Sequence, residues 1–228
     1  MIPAKHAAWA DFIFHPYLLH LCRRHFHRLE ILGSLPQIDP QLPLLLLPNH
    51  STWWDGFFVY LLNRKLFHRR PYLMMLQEQL ARYSFFARLG AFGIDPHSPR
   101  EVRQSLRYAA QRLQMPPPVL LAIFPQGELR PWHVRPLGYR RGIEILLKMA
   151  HCRLNLLNLA ISAGFQRERR AEVFFLFDEN RIVDHRDYPD HLRLELAEER
   201  LLAELRQRCD RGETGVPLLS RRGRAPAG

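Results

Sequence analysis

Long hydrophobic runs are missing from this sequence. No stretch of about 18 apolar residues occurs, so no helix is expected to span a membrane. The N-terminus also lacks the form of a cleavable secretory signal. Cysteine is scarce: Cys22, Cys152 and Cys209 are widely spaced and offer neither zinc-type pairing nor a disulfide framework, which fits a reducing cytoplasmic compartment. His20, His25 and His27 crowd the N-terminal region, but the sequence gathers no set of acidic or cysteine ligands around them, so no metal site is expected there. Lysine is nearly absent as well. Only Lys5, Lys65 and Lys148 occur, so the net charge of +11 is carried almost entirely by arginine. The guanidinium fork suits phosphate, which points to an anionic partner such as a lipid headgroup, a phosphopantetheine, coenzyme A or nucleic acid. Arginine richness that merely reflects genome composition is the plain alternative. The basic residues are scattered rather than striped, and no nucleic-acid motif is present, so nucleic acid is the least expected partner.

What is present reads as one α/β domain. The 228 residues and 47% hydrophobic content suffice for a proper core. Residues 8–30 read as an amphipathic helix with aromatics among Arg23, Arg24 and Arg28, interrupted at Pro16 and suited either to a lipid interface or to packing on the domain. Apolar runs predict strands at 43–48, 71–76, 119–124, 154–161 and 171–177, with a short strand or turn at 90–94. Helices are predicted over 53–64, 77–89, 139–151 and 190–208. Another starts after Ser98-Pro99-Arg100-Glu101, a capping box with proline at the first helical position. Strands alternating with helices predict a mixed, largely parallel sheet flanked by helices. The expected division is an N-terminal helical segment over 1–30, the main domain over 31–210 and a basic, disordered tail over 211–228.

Two short blocks carry the chemistry. Asn49-His50-Ser51-Thr52-Trp53-Trp54-Asp55 follows the apolar strand and sets an imidazole and a carboxylate five positions apart at the rim of the sheet, where open α/β sheets bind ligands. An imidazole there can take a hydroxyl proton, and the carboxylate can fix its tautomer. A turn histidine beside a helix-capping aspartate is the plainer reading of the same residues. Ser51 is a rival covalent nucleophile, but no Gly-x-Ser-x-Gly elbow surrounds it. Phe124-Pro125-Gln126-Gly127-Glu128 ends a second strand and opens a polar loop. Gly127 permits close backbone approach, while Arg130, Arg135, Arg140 and Arg141 are candidates for a phosphate contact. Trp53, Trp54, Phe57 and Phe58 are candidates to line an acyl groove, with a packed aromatic core as the alternative for at least two of them.

In this order and spacing the two blocks resemble those of the glycerolipid acyltransferase family, typified by 1-acylglycerol-3-phosphate acyltransferases, with Asn-His-x4-Asp in the first block and Phe-Pro-Glu-Gly-Thr-Arg in the third. The resemblance extends over roughly 40–180 and includes Tyr139-Arg140-Arg141-Gly142 and the strand after it, where Asn158 replaces the usual proline. It implies direct acyl transfer from acyl-CoA or acyl carrier protein to a lipid hydroxyl, with His50 as base, Asp55 orienting it and residues 124–128 holding substrate. No other cofactor is implied. Two departures stand out. Where the family has Ile-Asp-Arg, with an arginine associated with the acceptor phosphate, this chain reads Ile94-Asp95-Pro96, leaving Arg100 or Arg130 to substitute. The family's third-block glutamate is Gln126.

The expected protein is therefore a peripheral acyltransferase on the cytoplasmic face of an anionic membrane, with a lysophosphatidate-like acceptor. A non-phosphorylated lipid hydroxyl, such as that of a glycosylated isoprenoid, is the alternative acceptor. A non-enzymatic basic protein that binds membrane or nucleic acid is the alternative class.

Overall fold

The computed structural model describes residues 1–165 and 168–219. Nine strands form one sheet in the order β4-β3-β5-β2-β6-β7-β1-β9, with β8 pairing along the start of β6. They are β1 (Phe26–Ile31), β2 (Leu44–Pro48), β3 (Pro71–Leu76), β4 (Ala91–Ile94), β5 (Leu120–Ala122), β6 (Leu154–Gly164), β7 (Ala171–Phe177), β8 (Arg181–Val183) and β9 (Val216–Pro217). The run from β4 to β6 is parallel, β7 and β8 run antiparallel to β6, and β1 lies parallel to β7. The expected mixed, largely parallel α/β sheet is thus the fold.

Strand periodicity explains the layering. Successive side chains point to opposite faces. In β2, Leu45 and Leu47 enter one core while Leu44 and Leu46 enter the other, and all four are fully buried. The first core lies under α4 (Pro99–Leu113), α5 (Gly142–Met149) and α6 (His191–Asp210). The second lies under α1 (Ala8–His25) and α2 (Asp55–Leu62). Ser98 caps α4 by accepting from the Glu101 amide at 3.3 Å, with Pro99 at the first helical position; such a cap is worth about 1 kcal/mol.

Several predicted boundaries need correction. The N-terminal helix ends at His25, and residues 26–31 form a strand of the sheet rather than the end of a helix. Nor does Pro16 divide that helix. Its buried residues Ala10, Phe14, Leu18 and Cys22 recur every four positions, so tertiary packing holds the turn together. Pro16 itself sits on the exposed side, where water is available to the carbonyl it cannot bond. The helix expected over 77–89 is two pieces, α3 (Gln77–Arg82) and a 3-10 turn (Ser84–Leu89). Gly90, at φ +106°, ends it, and a Cβ there would lie 2.1 Å from the Pro71 carbonyl oxygen. The helix expected to open at Tyr139 begins at Gly142. Residues 213–219 belong to the fold rather than to a loose tail, because β9 pairs with β1 and Leu218 is buried. The rest of the expected tail, 220–228, lies outside the described residues.

Candidate active site

Because β2 and β5 are adjacent and parallel, the two sequence blocks emerge side by side at one rim of the sheet. Asn49, almost fully buried, ties the turn after β2 to its other neighbour, β6. Its Nδ2 donates to the Ile161 carbonyl at 3.1 Å, and its Oδ1 accepts from the Ile161 amide at 2.7 Å. The side chain thereby continues the strand pairing after the backbone of β2 has turned away.

His50 is fixed on both sides of its backbone. Its amide donates to Gln126 Oε1 at 2.5 Å, and its carbonyl accepts from Gln126 Nε2 at 3.4 Å and from the Arg130 amide at 2.9 Å. The imidazole stacks on the Phe124 ring, with centroids 4.0 Å apart and planes 20° off parallel. Its Nδ1 lies 3.0 Å from Asp55 Oδ2. Asp55 is 1% exposed, and Oδ2 also accepts from the amides of Ser51 (2.7 Å) and Thr52 (2.8 Å). Thr52 Oγ1 donates to Asp55 Oδ1 at 2.7 Å. The two amides at the N-terminus of α2 hold this carboxyl in place as an acceptor. The imidazole must therefore offer a proton from Nδ1, which leaves the Nε2 lone pair free to accept one. Nε2 has no protein hydrogen bond among the described residues, and the side chain stays 22% exposed. This geometry can draw a proton from a hydroxyl placed at Nε2.

The third block sits beside this pair. Gln126 is 1% exposed and pairs with the His50 backbone as one amide with another. The glutamate that the family carries here could accept from the His50 amide but could not donate to its carbonyl. Gly127 has φ +71°, and the space a Cβ would take is filled by the Arg140 side chain, whose Nε lies 2.7 Å from that point. The glycine thus accommodates arginine. Arg130 is committed to Glu128 (2.7 and 3.1 Å to Oε1) and to the Pro136 carbonyl (3.4 Å), and this pairing lowers the Glu128 pKa. Arg140 and Arg141 are exposed. Arg100, exposed on the first turn of α4, follows β4, which is three strand spacings from β2, roughly 14 Å.

An apolar cavity of about 260 Å³ opens next to Thr52, lined by Trp54, Phe58, Phe26, Trp132, Ala163, Gly164, Phe165 and Ala171. Of the four aromatics expected at an acyl groove, Trp54 and Phe58 line it. Phe57 instead packs against Phe14 and Phe86, and Trp53 is exposed, stacked edge-on to Phe57. Sequence reasoning missed Phe26 and the end of β6, which reach the cavity through the strand order, and Trp132, on the loop that follows the third block. It also missed Thr52, although a hydroxyl three residues before a helix-initial aspartate was a readable signal.

Among the described residues no group of histidine, cysteine and acidic side chains could hold a metal ion, and no helix is long and apolar enough to cross a membrane. No curated protein matches the chain. The family model described as Acyltransferase matches residues 24–139, just over half of the sequence, and includes both blocks of the site. With His50, Asp55 and Phe124–Gly127 gathered at one rim inside that match, the chain belongs to the acyltransferase family.

Proposed function

We propose that the protein transfers a fatty acyl group from acyl-CoA or acyl carrier protein to the hydroxyl of a lysophosphatidate-like glycerolipid, with His50 as general base. The observation that carries this reading is the His50–Asp55 pair, with Nδ1 anchored and Nε2 open, two residues before Thr52 on the wall of an apolar cavity. The acceptor hydroxyl gives its proton to Nε2 as its oxygen attacks the thioester carbonyl. Asp55 stabilises the imidazolium. As the carbon–sulfur bond breaks, the imidazolium returns the proton to the departing thiolate, leaving an ester and a free thiol. No enzyme-bound acyl group is required. The cavity beside Thr52 suits the acyl chain, with Trp54 and Phe58 as walls.

Association with an anionic membrane surface, at its cytoplasmic face and without a spanning helix, is part of the same proposal. On α1, Trp9, Phe12, Ile13 and Tyr17 are all more than half exposed, and Arg23 and Arg24 follow about two turns on. An apolar stripe next to arginine fits a lipid interface with acidic headgroups.

The acceptor has a second reading with its own support. Pro96 replaces the arginine associated with the acceptor phosphate, Arg130 is committed to Glu128, and Arg100 lies several strands away. A non-phosphorylated lipid hydroxyl, such as that of a glycosylated isoprenoid, suits such a site. The deciding experiment is the rate with lysophosphatidate against the rate with an uncharged lipid alcohol, in wild type, Arg100→Ala, Arg130→Ala and His50→Ala. His50→Ala is expected to lose about 10²–10⁴-fold with either acceptor, and unchanged turnover overturns the base. Preference for the uncharged alcohol with no effect of either arginine overturns the phosphorylated acceptor.

A further inference from the structure

Behind the Asn49–His50 turn, on the opposite face of the sheet from the apolar cavity, α6 places a carboxyl that the proposed chemistry does not use. Glu198 is completely buried, and neither of its oxygens reaches a hydrogen-bond donor. Asn158, equally buried on β6, sits against it. The Asn158 Nδ2 donates to the Leu194 carbonyl at 3.2 Å, which fixes the amide's orientation and leaves Oδ1 without a donor. Glu198 also lies within electrostatic reach of the Asn49 backbone, though not at hydrogen-bonding geometry. A fully buried carboxylate whose oxygens meet no donor at hydrogen-bonding geometry is unfavourable in a dry interior. A single proton on the carboxyl resolves it, because a neutral acid is far cheaper to bury than its anion.

We infer that Glu198 is a positioning residue of the transfer site, holding the Asn49–His50 turn in place as a neutral carboxylic acid. The inference rests on His50 being the base. It reaches beyond the residues of the family match, since α6 lies outside 24–139. The surroundings agree. Burial is the main cause that raises the Glu198 pKa well above the carboxylate range, and Asp178 pushes the same way. The Asn158 amide, Arg135 and the Asn49 backbone oppose it more weakly. Tyr139 faces the cluster with its hydroxyl buried and unbonded, and its own pKa is raised by burial and then by Glu198, Glu195 and Glu199. Glu195 and Glu199, on the same helix, have other work: they accept the amides of Gly138, Tyr139 and Leu137 and so pin the loop that follows the third block. The back of the His50 turn is therefore packed by amides and one neutral acid, and ionising that acid would place a charge directly beneath it.

The sign of the pH effect follows. With its pKa raised in the folded state, Glu198 keeps a proton that the unfolded chain releases in the ordinary carboxylate range. Folding stability contributed here therefore falls as pH rises above that range, until the folded value is passed. Glutamine has the neutral acid's shape without the titration. The test compares wild type with Glu198→Gln from pH 6 to 9.5, in thermal denaturation without substrate and in kcat with acyl-CoA and the preferred acceptor. The expected result is a melting temperature for Glu198→Gln that rises relative to wild type as pH increases, and a variant-to-wild-type kcat ratio that grows by about tenfold with KM unchanged. Glu198→Leu should fold and lose kcat at every pH. A melting difference independent of pH, or a flat kcat ratio, overturns the inference. The denaturation arm needs no catalysis, so failure of His50 as base is separable from failure of Glu198 as a neutral support.

Discussion

At the scale of single residues, the useful distinction is between groups that a local spacing announces and groups that only the fold brings in. Asp55 was announced: five positions after His50 and at the start of a helix, its carboxylate had few other places to go. Its Oδ2 accepts from the imidazole and two backbone amides. In Asp55→Asn the side-chain oxygen can keep that position while the new NH2 faces the Thr52 hydroxyl, which can turn to accept. The fold should survive, with a melting temperature near wild type, while kcat falls by about 10²–10⁴-fold because a neutral amide cannot stabilise the imidazolium. Near-normal turnover by a correctly folded variant would show that the carboxylate only caps the helix. Gln126 was not legible in this way. As a departure from the family it looked like a lost charge, yet across 76 residues it pairs with the His50 backbone through both ends of its amide. Replacing it by glutamate removes the donor to the His50 carbonyl and buries an ionisable group, so Gln126→Glu should destabilise by about 1–3 kcal/mol. The introduced carboxyl would have a raised pKa, so the deficit should shrink as pH is lowered and it takes up a proton. Denaturant unfolding at several pH values checks both size and direction.

Elements were more legible than their ends. Alternating and continuous apolar runs located β2, β3, β5, β6 and β7, and the Ser98 capping box located the start of α4 to the residue. Ends were missed where tertiary packing overrode a local signal. The Pro16 break gave way to four buried side chains, and residues after Gly212 gained a strand partner in β1 that no local pattern could disclose. α1 shows the consequence. One face buries Phe14, Leu18 and Cys22 in the second core, while the other exposes Phe12 and Ile13. Deleting residues 1–30 would therefore remove part of that core together with most of β1, and would report on folding rather than on anchoring. Substituting only the exposed face separates the two. Phe12→Ser with Ile13→Ser should leave the melting temperature within a few degrees of wild type and reduce co-sedimentation with anionic vesicles severalfold. The binding that remains should weaken with salt, since exposed arginines are screened within about 8–10 Å at physiological ionic strength. Undiminished binding would place the anchor on another surface.

Over the whole molecule, the class of fold was written in the alternation of strands and helices, but the strand order was not. That order depends on pairings such as β2 with both β5 and β6, whose partners lie more than 70 residues away. The same order decides which side chains share the two cores, and the cysteines record the outcome. Cys22 is fully buried in the second core among Phe14, Leu18 and Leu29, and burial pushes its thiol up to about 12. Burial also raises Cys152, and with help from Asp210 it carries Cys209 to about 11. Since the thiolate is the reactive form, all three should resist alkylation in the native protein. Cys22 is the most informative of them, because reaching it requires α1 to leave the sheet. Its labelling by iodoacetamide at pH 8 should track global unfolding and rise steeply only through the denaturant transition, whereas Cys152 and Cys209, half-buried near the surface, should label earlier through local opening. If Cys22 labels in native buffer as fast as Cys209, α1 detaches independently, and the second core is open whenever the helix leaves.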